Sequence, residues 1–152
     1  MNKILIITTL LLASFTIQAQ KSSEWHTSFD KAAKISMETG KPILANFTGS
    51  DWCGWCKKLT KEVFSKAEFS KWASENVVLL ELDYPKRIAQ TEEIKKQNKE
   101  LGQFFKVRGY PTLHVFNVGV EDGKTQIAQL GKTGYVAGGP KPWIASVTQY
   151  IK

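Results

Sequence analysis

The chain has 152 residues, 42% hydrophobic and 23% charged, the balance of an ordinary globular domain, and shortening by 19 residues would leave 133, enough to bury roughly two-thirds of the unfolded surface. The body has no run of about 18 apolar residues to cross a membrane, too much Leu, Ile, Val and Phe for disorder, and only two cysteines, too few for a disulfide scaffold. The formal charge of +7 is almost all lysine, with Arg87 and Arg108 the only arginines; lysines interleaved with glutamates (Lys57, Lys58, Lys61, Glu62) describe a solvated surface and not a nucleic-acid site.

Residues 1–19 come first in the chain and have the layout of a secretory signal peptide: Lys3, an apolar stretch from Ile4 to Leu12, then small or polar residues to a cut after Ala19. Losing Lys3 with this leader lowers the charge by one, to +6. The apolar stretch is short for a span, so no stable membrane segment is expected after cleavage. With no cysteine at the cut for a lipid anchor, a monomer free in a bacterial periplasm is the expected state of the 20–152 domain.

Within that domain, Trp25, Phe29, Ala32, Ala33 and Met37 recur at helical spacing, which predicts an amphipathic helix over 23–38 that Gly40-Lys41-Pro42 ends. Ile43 to Thr48 is a short apolar run and predicts a buried strand. Gly49-Ser50-Asp51 is a polar loop, and Trp52 opens a helix to about Ser65 with Leu59, Val63 and Phe64 inward. A helical turn or two follows over Ala67 to Ser74, with Phe69 and Trp72 inward. Val77 to Asp83 predicts a second buried strand, which Tyr84-Pro85 breaks. Thr91 to Lys106 places Ile94, Leu101, Phe104 and Phe105 on one helical face. Thr112 to Val118 and Thr125 to Leu130 predict a hairpin about the turn Glu121 to Lys124. Gly134 to Pro140 is a loop, and Pro142 to Ile151 a last helix with Trp143 and Val147 inward. Strands alternating with helices favour parallel pairing, and the hairpin adds an antiparallel edge. The fold class expected is α/β, a mixed sheet of about four strands flanked by helices.

Chemistry concentrates at Cys53 and Cys56. A bridge between residues three apart closes a tiny loop, and stabilising bridges usually close longer ones. In a compartment where disulfides persist, the pair is better suited to reactivity. The thiolate is the nucleophile, and a helix N-terminus offers unpaired N–H groups and a positive dipole end to stabilise it at Cys53. Cys56, one turn on, can then attack a mixed disulfide at Cys53 and release the product. Haem attachment needs a His directly after the second cysteine, where Lys57 stands. Zinc wants four ligands, and His26 and His114 are not at ligand spacing. No metal and no dissociable cofactor are expected; the redox-active cysteine pair itself carries the electrons.

Trp52-Cys53-Gly54-Trp55-Cys56-Lys57 after an apolar strand, together with Val107-Arg108-Gly109-Tyr110-Pro111-Thr112-Leu113 before a later one, resembles the thioredoxin superfamily, and the element order extends the likeness over essentially the whole domain. The resemblance implies a thioredoxin-like fold, catalysis by Cys53 and Cys56, and a cis Pro111 facing the pair. Proline has no N–H to compete for a thiolate, and the Tyr110 backbone is left free to pair with an extended substrate. Trp52 and Trp55 offer an apolar docking surface. Trp55 departs from the histidine usual in the disulfide isomerases that the second motif resembles.

Family members commonly carry a buried acid on the strand before the motif, to take the resolving cysteine's proton. Here Asn46 or Phe47 stands there, and neither is a base; where Asp51, Glu62 and Asp83 lie is not fixed by sequence. His114 alternates with Leu113 and Val115 and reads as structural. Leu130-Gly131-Lys132-Thr133 lacks the upstream glycine of a phosphate loop, since Gln126 occupies that position. Asn46-Phe47-Thr48 is formally a glycosylation sequon, inside a predicted buried strand. The expected function is an exported thiol–disulfide oxidoreductase, leaning towards a reductant, with protein thiols and disulfides as substrates and an upstream dithiol donor. The alternatives are a thioredoxin-like binding module, or an electron relay dedicated to one partner.

Overall fold

A computed structural model describes residues 23–151; the leader expected over 1–19 lies outside the described residues. The elements run β1 (Trp25–His26), α1 (Phe29–Thr39), β2 (Ile43–Thr48), α2 (Gly54–Leu59) passing directly into a π-helical turn (Thr60–Phe64), α3 (Ala67–Asn76), β3 (Val78–Asp83), α4 (Glu92–Phe104), β4 (Thr112–Glu121), β5 (Lys124–Thr133) and α5 (Pro140–Thr148).

Their sheet has the order β1-β3-β2-β4-β5. β1 and β2 pair parallel with β3, β2 pairs antiparallel with β4, and β4 with β5. The hairpin turns on Asp122 and Gly123, both at positive φ as a two-residue primed turn requires. The sheet therefore has five strands where about four are expected. The additional one is β1, which pairs Trp25 with Leu79 and His26 with Leu80. Trp25 is thus in a strand and not at the head of the first helix; Ser28 caps that helix by accepting the Lys31 N–H.

Strand alternation divides the core. Ile43, Ala45 and Phe47 of β2 join Val78, Leu80 and Leu82 of β3 beneath α1 and α4, with Ala32, Leu101 and Phe105. Leu44 and Leu79 point the other way, against Leu59, Val63, Phe69, Trp143 and Val147 of α2, its π turn, α3 and α5. Two residues expected inward are not: Met37 is exposed and Ser36 takes its place, and Phe104 is exposed beside buried Phe105. Ala32, Ala33, Leu101 and Phe105 are buried as expected, so the departures are at single residues. Ser36 satisfies its buried hydroxyl by donating to the Lys41 carbonyl at 2.6 Å, so a polar residue serves on the inner face. Leu130 to Thr133, the failed phosphate loop, lies within β5.

Trp143 anchors the α2 side. It is fully buried, edge-on to Phe64, Phe69 and Trp72, and its indole N–H donates to the Gly134 carbonyl at 3.0 Å. Trp143→Ala is expected to cost about 3–5 kcal/mol, the range for emptying a buried aromatic site, and to appear as a lower urea midpoint at unchanged slope.

Candidate active site

The site grows from the end of β2. Gly49 follows Thr48, and a Cβ there would stand 2.5 Å from the Trp52 ring, so only glycine lets the ring fold back over the strand end. The Gly49 carbonyl accepts the Cys53 N–H at 2.8 Å, which closes the turn. Two carboxylates hold this loop to the end of β3 and the segment after it. Asp51 accepts the backbone N–H groups of Lys86 at 3.0 Å and Arg87 at 2.6 Å. These bonds, the Lys86 one foremost, hold its carboxyl below the usual range. Asp83 accepts the Ser50 N–H at 2.8 Å and the Ser50 hydroxyl. The third acid, Glu62, accepts the Tyr135 hydroxyl at 2.6 Å. All three acids that sequence could not place are engaged in bonds of this kind.

Cys53 is the N-cap of α2, with extended backbone (φ −81°, ψ 108°), and its Sγ accepts the Cys56 N–H at 3.2 Å. A sulfur therefore occupies the place where Ser or Asp usually caps a helix. The two cysteines form a disulfide with their Cα atoms 5.2 Å apart. Cys53 is 6% exposed and Cys56 3%, so neither is freely open to solvent and Cys56 is the more enclosed. The N–H that meets Cys53 Sγ would equally meet the thiolate left there by reduction, which is how this geometry favours the nucleophilic form.

Around the pair stand the aromatic residues expected to bind substrate. Trp52 and Trp55 are 37% and 58% exposed. Trp52 donates its indole N–H to the Tyr84 carbonyl at 2.8 Å and meets the Tyr110 ring edge-on at 5.7 Å. Trp55 packs on Tyr135 at 5.1 Å. Each indole carries an ammonium: Lys86 lies 4.2 Å from the Trp52 ring and Lys58 5.0 Å from that of Trp55. The Tyr110–Pro111 peptide bond is cis, with both residues partly exposed. The contact of Tyr110 with Trp52 ties the proline loop to the cysteine loop.

Beneath the motif, alternation decides between Asn46 and Phe47. Phe47 belongs to the opposite layer, edge-on to Phe105 and His114. Asn46 faces the α2 side, 3% exposed, and its Oδ1 has no hydrogen-bond partner among the described residues. Its register partner on β3 is Glu81, an acid the sequence reading missed because it sits within the apolar run VVLLELD. Strand period two places Glu81 on the same face as Leu79, and a polar residue breaking the apolar run at that position was the available signal. Half-buried, Glu81 has its carboxyl pushed up, by burial first and by Asp83 second. His114 lies in the other layer, its pKa lowered by burial and by Lys132. Among the described residues no cluster of three or more His, Cys, Asp or Glu could hold a metal ion, and no helix is long and apolar enough to cross a membrane.

Fold and site together define a thioredoxin-like redox protein: a mixed sheet with a Cys-x-x-Cys bridge at the mouth of a helix and a cis-proline loop tied to it. A family model described as a thioredoxin-like domain matches residues 29–139, and the chain belongs to that family. It is 33% identical over 134 residues to the disulfide bond reductase DsbH of Chlamydia pneumoniae, covering 88% of this chain and 76% of that one. It is also 33% identical over 120 residues to the thioredoxin-related protein DsbJ of the same organism, covering 74% of this chain but 34% of DsbJ. A solved DsbH oxidoreductase superposes with a TM-score of 0.74 at 32% identity, covering 86% of this chain and 85% of that one. A thioredoxin from Thermus thermophilus shares the fold, with a TM-score of 0.60 at 16% identity, over 84% of this chain and 86% of that one. Relatives named as a disulfide bond reductase and a protein disulfide-isomerase support thiol–disulfide oxidoreductase activity.

The raised carboxyl of Glu81 gives a stability prediction. A carboxyl that titrates higher in the folded chain than in the unfolded one costs stability as pH rises from the unfolded value through the folded one. Glu81→Gln removes that loss, so its melting temperature relative to wild type is expected to be higher at pH 7 than at pH 4. Thermal scans at the two pH values check the sign.

Proposed function

We propose that the protein is an exported thiol–disulfide oxidoreductase of the periplasm, acting as a monomer and as a reductant of protein disulfides. The observation that carries this is the Cys53 Sγ, capping α2 and accepting the Cys56 N–H with its resolving partner one turn behind. The layout of residues 1–19 supports export, and the name of the reductase relative supports the direction. The pair, the cap and the aromatic rim all come from one chain, so one copy suffices.

In the reduced protein the Cys53 thiolate attacks one sulfur of a substrate disulfide, forming a mixed disulfide and expelling the other substrate sulfur as a thiolate. Cys56, once deprotonated, attacks Cys53 Sγ; the bond between Cys53 and substrate breaks and the second substrate thiolate leaves. Two electrons pass to the substrate, and the Cys53–Cys56 bridge remains to be reduced by an upstream dithiol protein. Tyr110 and Pro111 orient the substrate strand beside Cys53, while Trp52 and Trp55 contribute apolar contact. In this reading Cys53, at the helix cap, makes the first attack, and Cys56, one turn on, makes the second.

Insulin reduction by the purified protein with dithiothreitol is expected to fall to the rate of dithiothreitol alone in Cys53→Ser. Cys56→Ser is expected to accumulate mixed disulfides with its substrates, visible as adducts on non-reducing gels that a reductant dissolves. Equal insulin activity in Cys53→Ser and wild type would remove the enzyme reading in favour of a binding module.

A further inference from the structure

Beside Tyr110, the structure holds an open cavity of about 650 Å³ between α4 and the segments 83–90 and 106–110. Tyr84 and Tyr110 are among its lining residues, their rings 5.1 Å apart. The Tyr84 hydroxyl donates to the Asn98 carbonyl, and Asn98 donates in turn to the Asp83 carbonyl at 2.8 Å, so this part of the lining is held on both sides. Gly102 makes the room: a Cβ there would stand 2.6 Å from the Tyr84 hydroxyl oxygen.

The charged part of the lining is one-sided. Lys95, Lys99, Lys106 and Arg108 contribute to it, against a single acid, Asp83, which is engaged with Ser50. Lys95 is paired with Glu92 at 2.7 Å; among the described residues Lys99, Lys106 and Arg108 have no carboxylate within ion-pair distance. Three cations face one cavity without internal neutralisation, unlike the lysines of α1, which pair with glutamates along the surface.

Lys106 adds a second observation. It follows α4 in the left-handed region, at φ 53°, donating to the Gln103 carbonyl while Val107 donates to that of Gly102. This is the Schellman ending of a helix, a position where glycine is favoured because any Cβ is strained. A lysine held there, with its side chain on the cavity, is a local cost without a packing return.

We propose that this cavity receives an acidic segment of the protein substrate: aspartate or glutamate side chains near the cysteine undergoing exchange, their carboxylates met by Lys99, Lys106 and Arg108 and the segment's apolar parts by Tyr84 and Tyr110. The inference rests on the oxidoreductase reading and adds the substrate's chemical class. Tyr110 is the link, because its backbone precedes the cis proline and its ring touches both Trp52 and Tyr84. A strand seated beside Cys53 thus runs on towards the cations.

The test uses two disulfide-bridged peptides that differ only in three Asp or three Asn residues beside one cysteine, each mixed with the pre-reduced full-length protein. The second-order rate constant of exchange is read from tryptophan fluorescence. Wild type is expected to favour the acidic peptide about ten-fold at low ionic strength, as three partly exposed charge pairs allow, with the preference shrinking as salt is added. In Lys106→Gly/Arg108→Gln the ratio is expected to fall towards one. Lys34→Gln/Lys71→Gln, which removes the same charge from α1 and α3, is expected to keep it. Lys106→Gly alone is expected to melt no lower than wild type. A wild-type ratio near one with both peptides reduced would overturn the acidic-segment inference and leave the oxidoreductase reading intact. So would a preference that the cavity variant retains or that the distant pair equally abolishes. Exchange with neither peptide would overturn both.

Discussion

A backbone N–H pointing at a sulfur organises this molecule. The first turn of α2 has donors with no intrahelical partner, and the residue placed to cap them is Cys53. Its sulfur takes the cap's usual hydrogen bond, and in the proposed mechanism it is also the reacting atom. In that mechanism a helix cap and a nucleophile are one group, and Cys56, the other half of the bridge, supplies the N–H. The loop before α2, its anchoring acids and the strand beneath it keep Cys53 at that position.

The acids show how the fold uses charge near a redox centre. Asp51, in the loop before α2, and Asp83, at the end of β3, reach across to each other's segments and convert the stretch between β2 and α2 into a fixed frame. Both accept from backbone N–H groups, bonds that are stronger for a charged acceptor. In the buried position under the motif stands a neutral amide, Asn46, with the half-buried Glu81 beside it in register on the next strand. The frame around the cysteines is thus charged at its rim, neutral directly below, and acidic one strand over.

The surface near the site has two characters. Towards Trp55 it is aromatic, with Tyr135 and the Lys58 ammonium over both rings. Towards Trp52 it is aromatic and then cationic, passing through Tyr110 to the cavity beside α4. A chain whose basic excess is spread over many lysines still gathers several at one opening, because the end of α4 and the proline loop converge there. Net charge alone describes solubility and encounter rates, whereas a local cluster can orient a partner.

Much of this was legible before any coordinates. Apolar runs of strand length gave β2 and β3, helical spacing gave α1 and α4, and the spacing of Cys53 and Cys56 at a helix start placed the chemistry, because each depends on contacts a few residues apart. Tertiary structure decided what depends on distant partners. It drew Trp25 into a two-residue strand paired with Leu79, which no local periodicity announces. It exposed Met37 and Phe104 and buried Ser36, while Ala32, Ala33, Leu101 and Phe105 stayed inward. It turned Asn46 and not Phe47 towards the redox helix, set Glu81 beside it, and gathered Lys99, Lys106 and Arg108 around one cavity. Local spacing determines which face of an element is apolar; only the packing of strands and helices against one another determines which polar side chains share a space.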